Sequence, residues 1–554
     1  MVIMDSVSFI SLGGVGDVTK NMSAYIFDNE ILLVDCGIGF VDGSMPGVDL
    51  TIPNITYLKQ AAANGKKIVG MILSHGHEDH IGALPFILPM LSQFPIFGSA
   101  LTAALANDKL AEFGEKNRVR TVGFNDTIKL GSFSVSFARM THSIIDAANL
   151  LIRTPIGNFY HGSDFKFDFT PVDGKPSEIR KIAKWGEEGI LCTMSDCLGA
   201  EKRGHSESEI KITESFDDEF KRSRGKIFIT TYSSNISRMN QAIEVARKYN
   251  RKICFMGRSF LKARDIGRKL KYMDLPVKME IRPQEIKRFP PSNVLILVAG
   301  SQAQIESGLV RISEDQDRDI RITRGDTVIF SADPIPGNEV NINSLIDTIS
   351  KKEARVVYSD IADDFHVSGH GSQNDLKLLI SLTNPRFLLP IGGTYRQMVA
   401  YRELSRDMGY MDEEVIFADQ AKEIIFTQNG FRVGKSAPSP NVYVDQISGE
   451  TIEKYIILDR QKIAKEGVII IVTEIDSQNG RLLSPPEVIL RGITLVDHKK
   501  FTQDLAGVLG KAFSRRAEKV TNWQFFRKTV QQKAEKILFD IGHAPLVIPV
   551  ILEV

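Results

Sequence analysis

The stretch Ser74-His75-Gly76-His77-Glu78-Asp79-His80 puts three histidines and an aspartate within six residues. Before it, Ile68–Leu73 is an apolar run of strand length; after it, Ile81–Leu88 reads as the start of a helix. Four potential ligands therefore share one strand-to-helix turn. Imidazoles and a carboxylate at this spacing suit a pair of closely spaced metals, His75 and His77 converging on one, Asp79 and His80 turning toward the other.

Further polar residues stand at the ends of predicted strands. Gly131–Phe137 alternates with period two and leads to His142. The hairpin Leu150–Pro155 and Gly157–Tyr160 delivers His161 and then Asp164, and the apolar run from Gly189 ends in Ser195-Asp196. Near the N-terminus, Val7–Leu12 reads as a strand ending in Gly13-Gly14-Val15-Gly16, followed by a hairpin, Met22–Phe27 and Ile31–Asp35. A hairpin after a glycine cluster argues against a dinucleotide-binding unit, which needs a helix there.

From Ser206 the pattern alternates: helix Glu207–Phe220, strand Lys226–Thr231, helix Ser237–Tyr249, strand Lys252–Gly257, helix Phe260–Met273. This predicts an inserted α/β domain. Ser233, Ser234 and Asn235 lie at one of its strand-to-helix junctions, where small polar groups and free helix N–H groups suit a phosphate; Ser and Asn there also cap helices. Further on, His366-Val367-Ser368-Gly369-His370 spaces two histidines four apart, and its Gly argues for a loop. Ser436–Asn441 is a linker by composition. After it come two strands, helices Lys500–Ala512 and Asn522–Phe539, and a strand Val547–Leu552, a small α/β C-terminal domain.

At 554 residues the chain is too long for one compact core. A net charge of +1 excludes a global basic field, so any nucleic-acid site must gather its cations locally. The N-terminus does not read as a signal peptide, and no apolar run reaches membrane-spanning length. The four cysteines follow no zinc-ribbon spacing and read as buried reduced thiols of a cytoplasmic protein.

The His-rich turn resembles the signature of the metallo-β-lactamase superfamily. The rest of the chain resembles ribonuclease J, of that superfamily's β-CASP branch: Gly13–Asp17, Lys20-Asn21-Met22, Leu33–Gly37, Gly47–Leu50 with Ile52-Pro53, Thr231–Ile236, Gly257-Arg258-Ser259, Gly300-Ser301-Gln302, Pro334–Glu339 and His366–Gly371 all match. The resemblance implies an αββα sandwich from 1–208 and 360–435, a β-CASP domain at 209–359, a linker at 436–450 and a C-terminal domain at 451–554. It implies metal ligands His75, His77, His142 and Asp164 at one site and Asp79, His80 and a bridging Asp164 at the other. Asp196 matches motif A, a residue that takes a proton from the attacking water or holds a ligand His. His370 matches motif B, a proton donor or transition-state stabiliser. Ser233–Asn235 and His366–His370 would grip the substrate phosphate. Asp445 with the Asp49 region resembles a structural calcium site, and Arg515, Arg516 and Lys519 could touch RNA, though a solvated helix face is the simpler reading.

One landmark departs. The family strand ending in Pro-(Val/Ile)-His-Gly-Glu-(Tyr/Phe)-Arg is here Pro390-Ile391-Gly392-Gly393-Thr394-Tyr395-Arg396. Gly392 replaces the His of the second metal site and Thr394 replaces an acid. The implied function is zinc-dependent hydrolysis of RNA phosphodiesters, 5′-to-3′ and internally, in RNA processing and decay, by a homodimer or homotetramer. Gly392 weakens the second site, where Mn²⁺ or Mg²⁺ suits the oxygen-rich remainder. The alternative is a weakly active or inactive RNA-binding subunit paired with an active paralogue. A small-molecule lactonase or thioesterase is opposed by the inserted domain and the His366–His370 loop.

Overall fold

The computed structural model describes residues 5–554 apart from 42–44, 46, 336–337, 359–364, 446–448, 477–480, 494–496, 515–522 and 541. Pro336, Gly337, Arg515, Arg516 and Lys519 thus lie outside the described residues. The chain forms two compact units, one of residues 1–40 and 51–442, the other of 41–50 and 443–554.

The first unit is built on two sheets packed face to face. One runs in the order Gly430–Ser436, Lys422–Thr427, Val7–Gly13, Met22–Phe27, Glu30–Val34, Lys67–Leu73, Ile96–Gly98, Val119–Thr121. The other runs Phe387–Ile391, Ile190–Asp196, Gly157–Gly162, Ala147–Thr154, Phe133–Met140, Thr127–Leu130. Phe9, Tyr25, Leu32 and Ile72 of the first sheet share one buried cluster with Phe137, Leu150, Phe159 and Leu389 of the second. Helices Thr56–Ala63 and Ala100–Glu112 cover the first sheet; Ile179–Glu187 and Gln373–Thr383 cover the second. The result is a helix–sheet–sheet–helix sandwich.

Register decides where chemistry can occur. Gly157–Gly162, Ile190–Asp196 and Phe387–Ile391 are parallel neighbours, with Gly162 opposite Ser195 and Asp196 opposite Ile391. Their carboxyl ends, and the residues just beyond them (Asp164, Asp196 and Gly392), therefore come out at one edge of the sandwich.

Between Asp196 and Phe387 the chain builds a parallel five-stranded sheet, ordered Lys252–Met256, Val294–Val298, Ile227–Thr230, Thr327–Phe330, Arg355–Val357. Ile227, Ile229, Phe255 and Leu297 face one buried cluster, while Phe228, Cys254, Ile296 and Val328 face another. Burial on both faces is why these strands read as continuous apolar runs. Helices Lys211–Arg222, Ile236–Lys248 and Arg258–Lys269 fall within a few residues of their sequence expectation.

In the second unit, Glu487–Arg491, Val468–Ile475 and Leu546–Glu553 form a three-stranded sheet. Ile469, Ile471 and Val547 pack with Leu505, Leu509, Val530 and Leu538 of helices His498–Ser514 and Trp523–Asp540. A helix at Lys454–Glu466 precedes this sheet and is absent from the sequence reading. All four cysteines are free and buried. Among the described residues no helix is long and apolar enough to cross a membrane.

Candidate metal centre

The His-rich turn follows strand Lys67–Leu73 directly and runs into a helix of a single turn, Glu78–Ile81. The His77 carbonyl accepts from the His80 and Ile81 N–H groups, which orients Asp79 and His80 away from His77. One continuous helix from Ile81 is expected from the sequence, but the chain instead makes a second short turn, Leu84–Ile87. Pro85 has no N–H to bond the Ile81 carbonyl, so the first turn cannot propagate.

Three imidazoles and a carboxylate from three chain segments converge: His75, His77, His142 and Asp164, with one donor atom of each lying within 4.8 Å of all the others. His77 Nδ1 stands 3.1 Å from both His75 Nε2 and His142 Nε2. Asp164 Oδ2 is 3.7 Å from His75 Nε2 and 3.7 Å from His142 Nε2. Outward-facing nitrogens settle the tautomers. His142 Nδ1–H donates to the Gly369 carbonyl at 2.7 Å, which leaves the Nε2 lone pair facing inward. Ser74 Oγ donates to Asp35 and accepts from His75 Nδ1–H at 3.0 Å, with the same consequence for His75. Burial, with the neighbouring imidazoles adding to it, pushes His75 and His77 well below the usual histidine range and His142 down to about 3. These rings are neutral donors crowded round one point, and this donor chemistry fits a divalent metal.

A second group consists of Asp79, His80 and Asp164. His80 Nε2 lies 3.6 Å from Asp79 and 3.4 Å from Asp164. His80 Nδ1–H donates to Asp35 at 2.8 Å, and Asn21 Nδ2 lies 3.0 Å from His80 Nε2. Burial opposes charge on His80, but Asp164, Asp79 and Asp35 outweigh it and raise its pKa; burial lifts Asp79 to about 6. A small polar cavity lined in part by Asn21, His80, Asp164, Asp196 and Gly392 adjoins this group. A Cβ at Gly392 would sit 3.7 Å from Asp196 Oδ1 and 3.8 Å from Asp164 Oδ1. A side chain at 392 would thus enter the centre, and Gly supplies no donor. Its φ of 64° is the left-handed region that suits glycine. Thr394 caps helix Tyr395–Asp407 in a reciprocal pair with Gln397.

A third group joins Asp164, Asp196 and His370. His370 Nδ1–H donates to Asp196 at 2.7 Å, and its Nε2 lies 3.9 Å from Asp164. Burial disfavours the imidazolium, but Asp196 and Asp164 outweigh it and raise His370 to about 9. Burial raises the pKa of Asp196.

Residues 366–370 form a loop rather than a helix. Gly369 is required by close approach, since a Cβ there would fall 2.8 Å from the His142 ring. His366 Nε2 faces Asp333 at 3.1 Å, while its Nδ1 is buried without a hydrogen-bond partner. The Ser233–Asn235 loop follows Tyr232, whose phenol is raised by burial and by Asp333 and Asp79. Asn235 Oδ1 accepts from Arg238 N–H at 2.9 Å and caps its helix. Ser233 and Ser234 are half-buried.

Two residues with no role in the sequence reading, Asp35 and Asn21, hold His80. Asp35 ends a strand in an acid, the same signal that marked Asp196. His161 is buried against the Tyr25 hydroxyl at 2.9 Å and belongs to none of the three groups; neither do Asp49 and Asp445.

Three family models match: the ribonuclease J β-CASP domain over residues 224–349, the ribonuclease J C-terminal domain over 455–554 and the metallo-β-lactamase superfamily over 16–117. The chain is 36% identical to ribonuclease J of Thermus thermophilus, over 99% of this chain and 96% of that one. It is 32% identical to ribonuclease J2 of Bacillus subtilis, over 99% of each. Identity to ribonuclease J of Synechocystis sp. is 36%, over 90% of this chain and 78% of that one. A solved protein of unknown function from Enterococcus faecalis V583 shares the fold, with a TM-score of 0.53 at 15% identity, over 76% of this chain and all of that one. With the sandwich, the inserted parallel sheet and the converging His and Asp side chains in place, likeness along nearly the whole length has one meaning: the chain belongs to the ribonuclease J family, in the β-CASP branch of the metallo-β-lactamase superfamily.

Proposed function

We propose that this chain is a metal-dependent ribonuclease that hydrolyses RNA phosphodiesters from the 5′ end and internally, in cytoplasmic RNA processing and decay. The observation that carries the reading is the convergence of His75, His77, His142 and Asp164 beside the Asp196–His370 pair. The first set holds zinc. Asp79, His80 and Asp164 hold a second ion less tightly, zinc, Mn²⁺ or Mg²⁺. When bound, the metals supply Lewis acidity toward water and phosphate oxygens.

The chain's own residues do the rest. Asp196 accepts from His370 Nδ1–H and orients the ring, and with Asp164 it keeps the ring as the imidazolium, whose Nε2–H donates to the leaving oxygen and leaves a neutral imidazole. Ser233, Ser234 and the N–H groups at the start of helix Ile236–Lys248 take the 5′ phosphate from one side, with His366, Val367, Ser368 and Gly369 on the other. The protein works as a homodimer or homotetramer.

Gly392 favours a second reading, an RNA-binding subunit of low activity that acts with a paralogue, because the second set lacks a fourth donor. Elemental analysis, paired with cleavage of a 5′-monophosphorylated RNA across a Mn²⁺ titration, decides between the two. Cleavage that rises with Mn²⁺ is expected. One metal per chain and no cleavage at any Mn²⁺ concentration overturns the nuclease in favour of the subunit.

A further inference from the structure

Behind the centre lies a group of buried charges that the chemistry above does not use. Lys166 and Arg238 are each 1% exposed and Glu209 is 5% exposed. Each belongs to a different piece of the machinery. Lys166 lies two residues beyond Asp164, and its backbone N–H donates to the Thr141 carbonyl beside His142 at 2.8 Å. Arg238 opens the helix that follows Ser233–Asn235. Glu209 stands between them, at the entry to the inserted domain.

The guanidinium reaches three ways. Nη2 pairs with Glu209, Nε donates to Gln241 at 3.2 Å, and Nη1 donates to Ser331 and to the Phe365 carbonyl at 3.1 Å. Phe365 immediately precedes His366. On its other side Glu209 faces Lys166 Nζ at 3.4 Å, and its backbone N–H donates to Asp168 at 3.0 Å. Gln241 returns a bond to the Glu209 carbonyl at 2.6 Å. One continuous set of bonds thus connects the strand end carrying Asp164, the helix capped by Asn235 and the loop carrying His366.

Burying these three charged groups is a poor route to stability, since desolvation offsets most of the attraction. It is an effective way to impose one geometry, because a planar fork with several fixed acceptors has a single satisfied arrangement. We propose that Arg238 and Glu209 are positioning residues that set the distance between the Ser233–Asn235 loop and the His366–His370 loop, and so set the grip on a 5′ phosphate. Neither touches substrate. The inference rests on the phosphate grip proposed above.

The test measures dissociation constants of the full-length protein for one RNA oligomer carrying either a 5′ monophosphate or a 5′ hydroxyl. Wild type, Arg238→Lys, Arg238→Met and Glu209→Gln are compared, alongside thermal unfolding and metal content. The ratio of the two constants does not depend on how much of a preparation is folded. The wild type is expected to prefer the phosphorylated RNA. The Arg238 variants bring the ratio close to one, and Glu209→Gln falls between. In cleavage, KM for the phosphorylated RNA rises about tenfold in Arg238→Lys while metal content is unchanged. Variants that unfold earlier yet keep the wild-type ratio show a structural role only and overturn the proposal. Should Arg238→Met not fold, Arg238→Lys and Glu209→Gln carry the test. A wild-type ratio of one is a different failure, removing the phosphate grip itself and the clamp with it.

Discussion

The first and second donor groups share Asp164 and lie side by side, yet they are built to different standards. In the first, three neutral imidazoles and a carboxylate converge, and the outward nitrogens of His75 and His142 are held by Ser74 and Gly369. In the second, His80 is held just as firmly by Asp35, but among the described residues only Asp79 and Asp164 join it, and the Asn21 amide sits against its inward nitrogen. Gly392, at the strand end after Phe387–Ile391, lines the small polar cavity beside the second group and supplies no donor of its own. Each histidine of the two groups is oriented by its own neighbours, so the two can differ in donor number while sharing one framework.

Substitutions can break or sharpen this contrast. The largest effect is expected from His142→Ala, which removes one of four donors from the complete group. Tightly held metal should be lost on dialysis, as elemental analysis would read, and RNA cleavage with it. Retention of a full equivalent would mean that the two groups do not differ as described.

His370→Ala should lower cleavage by about 10²–10⁴-fold if His370 is the proposed proton donor, while metal content stays at the wild-type level. A fall in metal content instead would move His370 into the ligand set.

Asp35→Asn acts on the second group from outside. It replaces the carboxylate that holds His80 Nδ1–H, so affinity for an ion at the second group should drop by about 10–100-fold while the first group keeps its metal. Mn²⁺ titration followed by electron paramagnetic resonance would measure it.

The smallest and most instructive change is Gly392→His. Its Cβ meets only ordinary contacts, and the left-handed φ costs about 1–2 kcal/mol. The second ion should bind more tightly and the two groups become alike. An unchanged Mn²⁺ isotherm in a folded Gly392→His protein would show that the missing donor is not what separates them.

Much of this was legible from local pattern. His75, His77, Asp79 and His80 announce themselves because a strand-to-helix turn is a local structure, and residues a few positions apart on it must be neighbours. His142, Asp164 and Asp196 were visible as polar residues ending apolar strands. Asp35 carries the same signal but acts on His80 across the parallel pairing of Val34 with Ile72, which no local pattern reveals. Pro85 was readable in principle, and its missing N–H ends a helix that periodicity alone extends. Nothing in the local pattern around Arg238 marks it as buried.

The sequence by itself determined the alternation of strands and helices, the donors clustered on one turn, and the lack of an imidazole at position 392, because these follow from side-chain chemistry and short-range spacing. Tertiary structure alone decided which strand ends meet, which nitrogen of each histidine faces inward, and that Lys166, Glu209 and Arg238 are buried together. Those outcomes depend on register between strands far apart in the chain and on burial, and both exist only once the sheets have closed on one another.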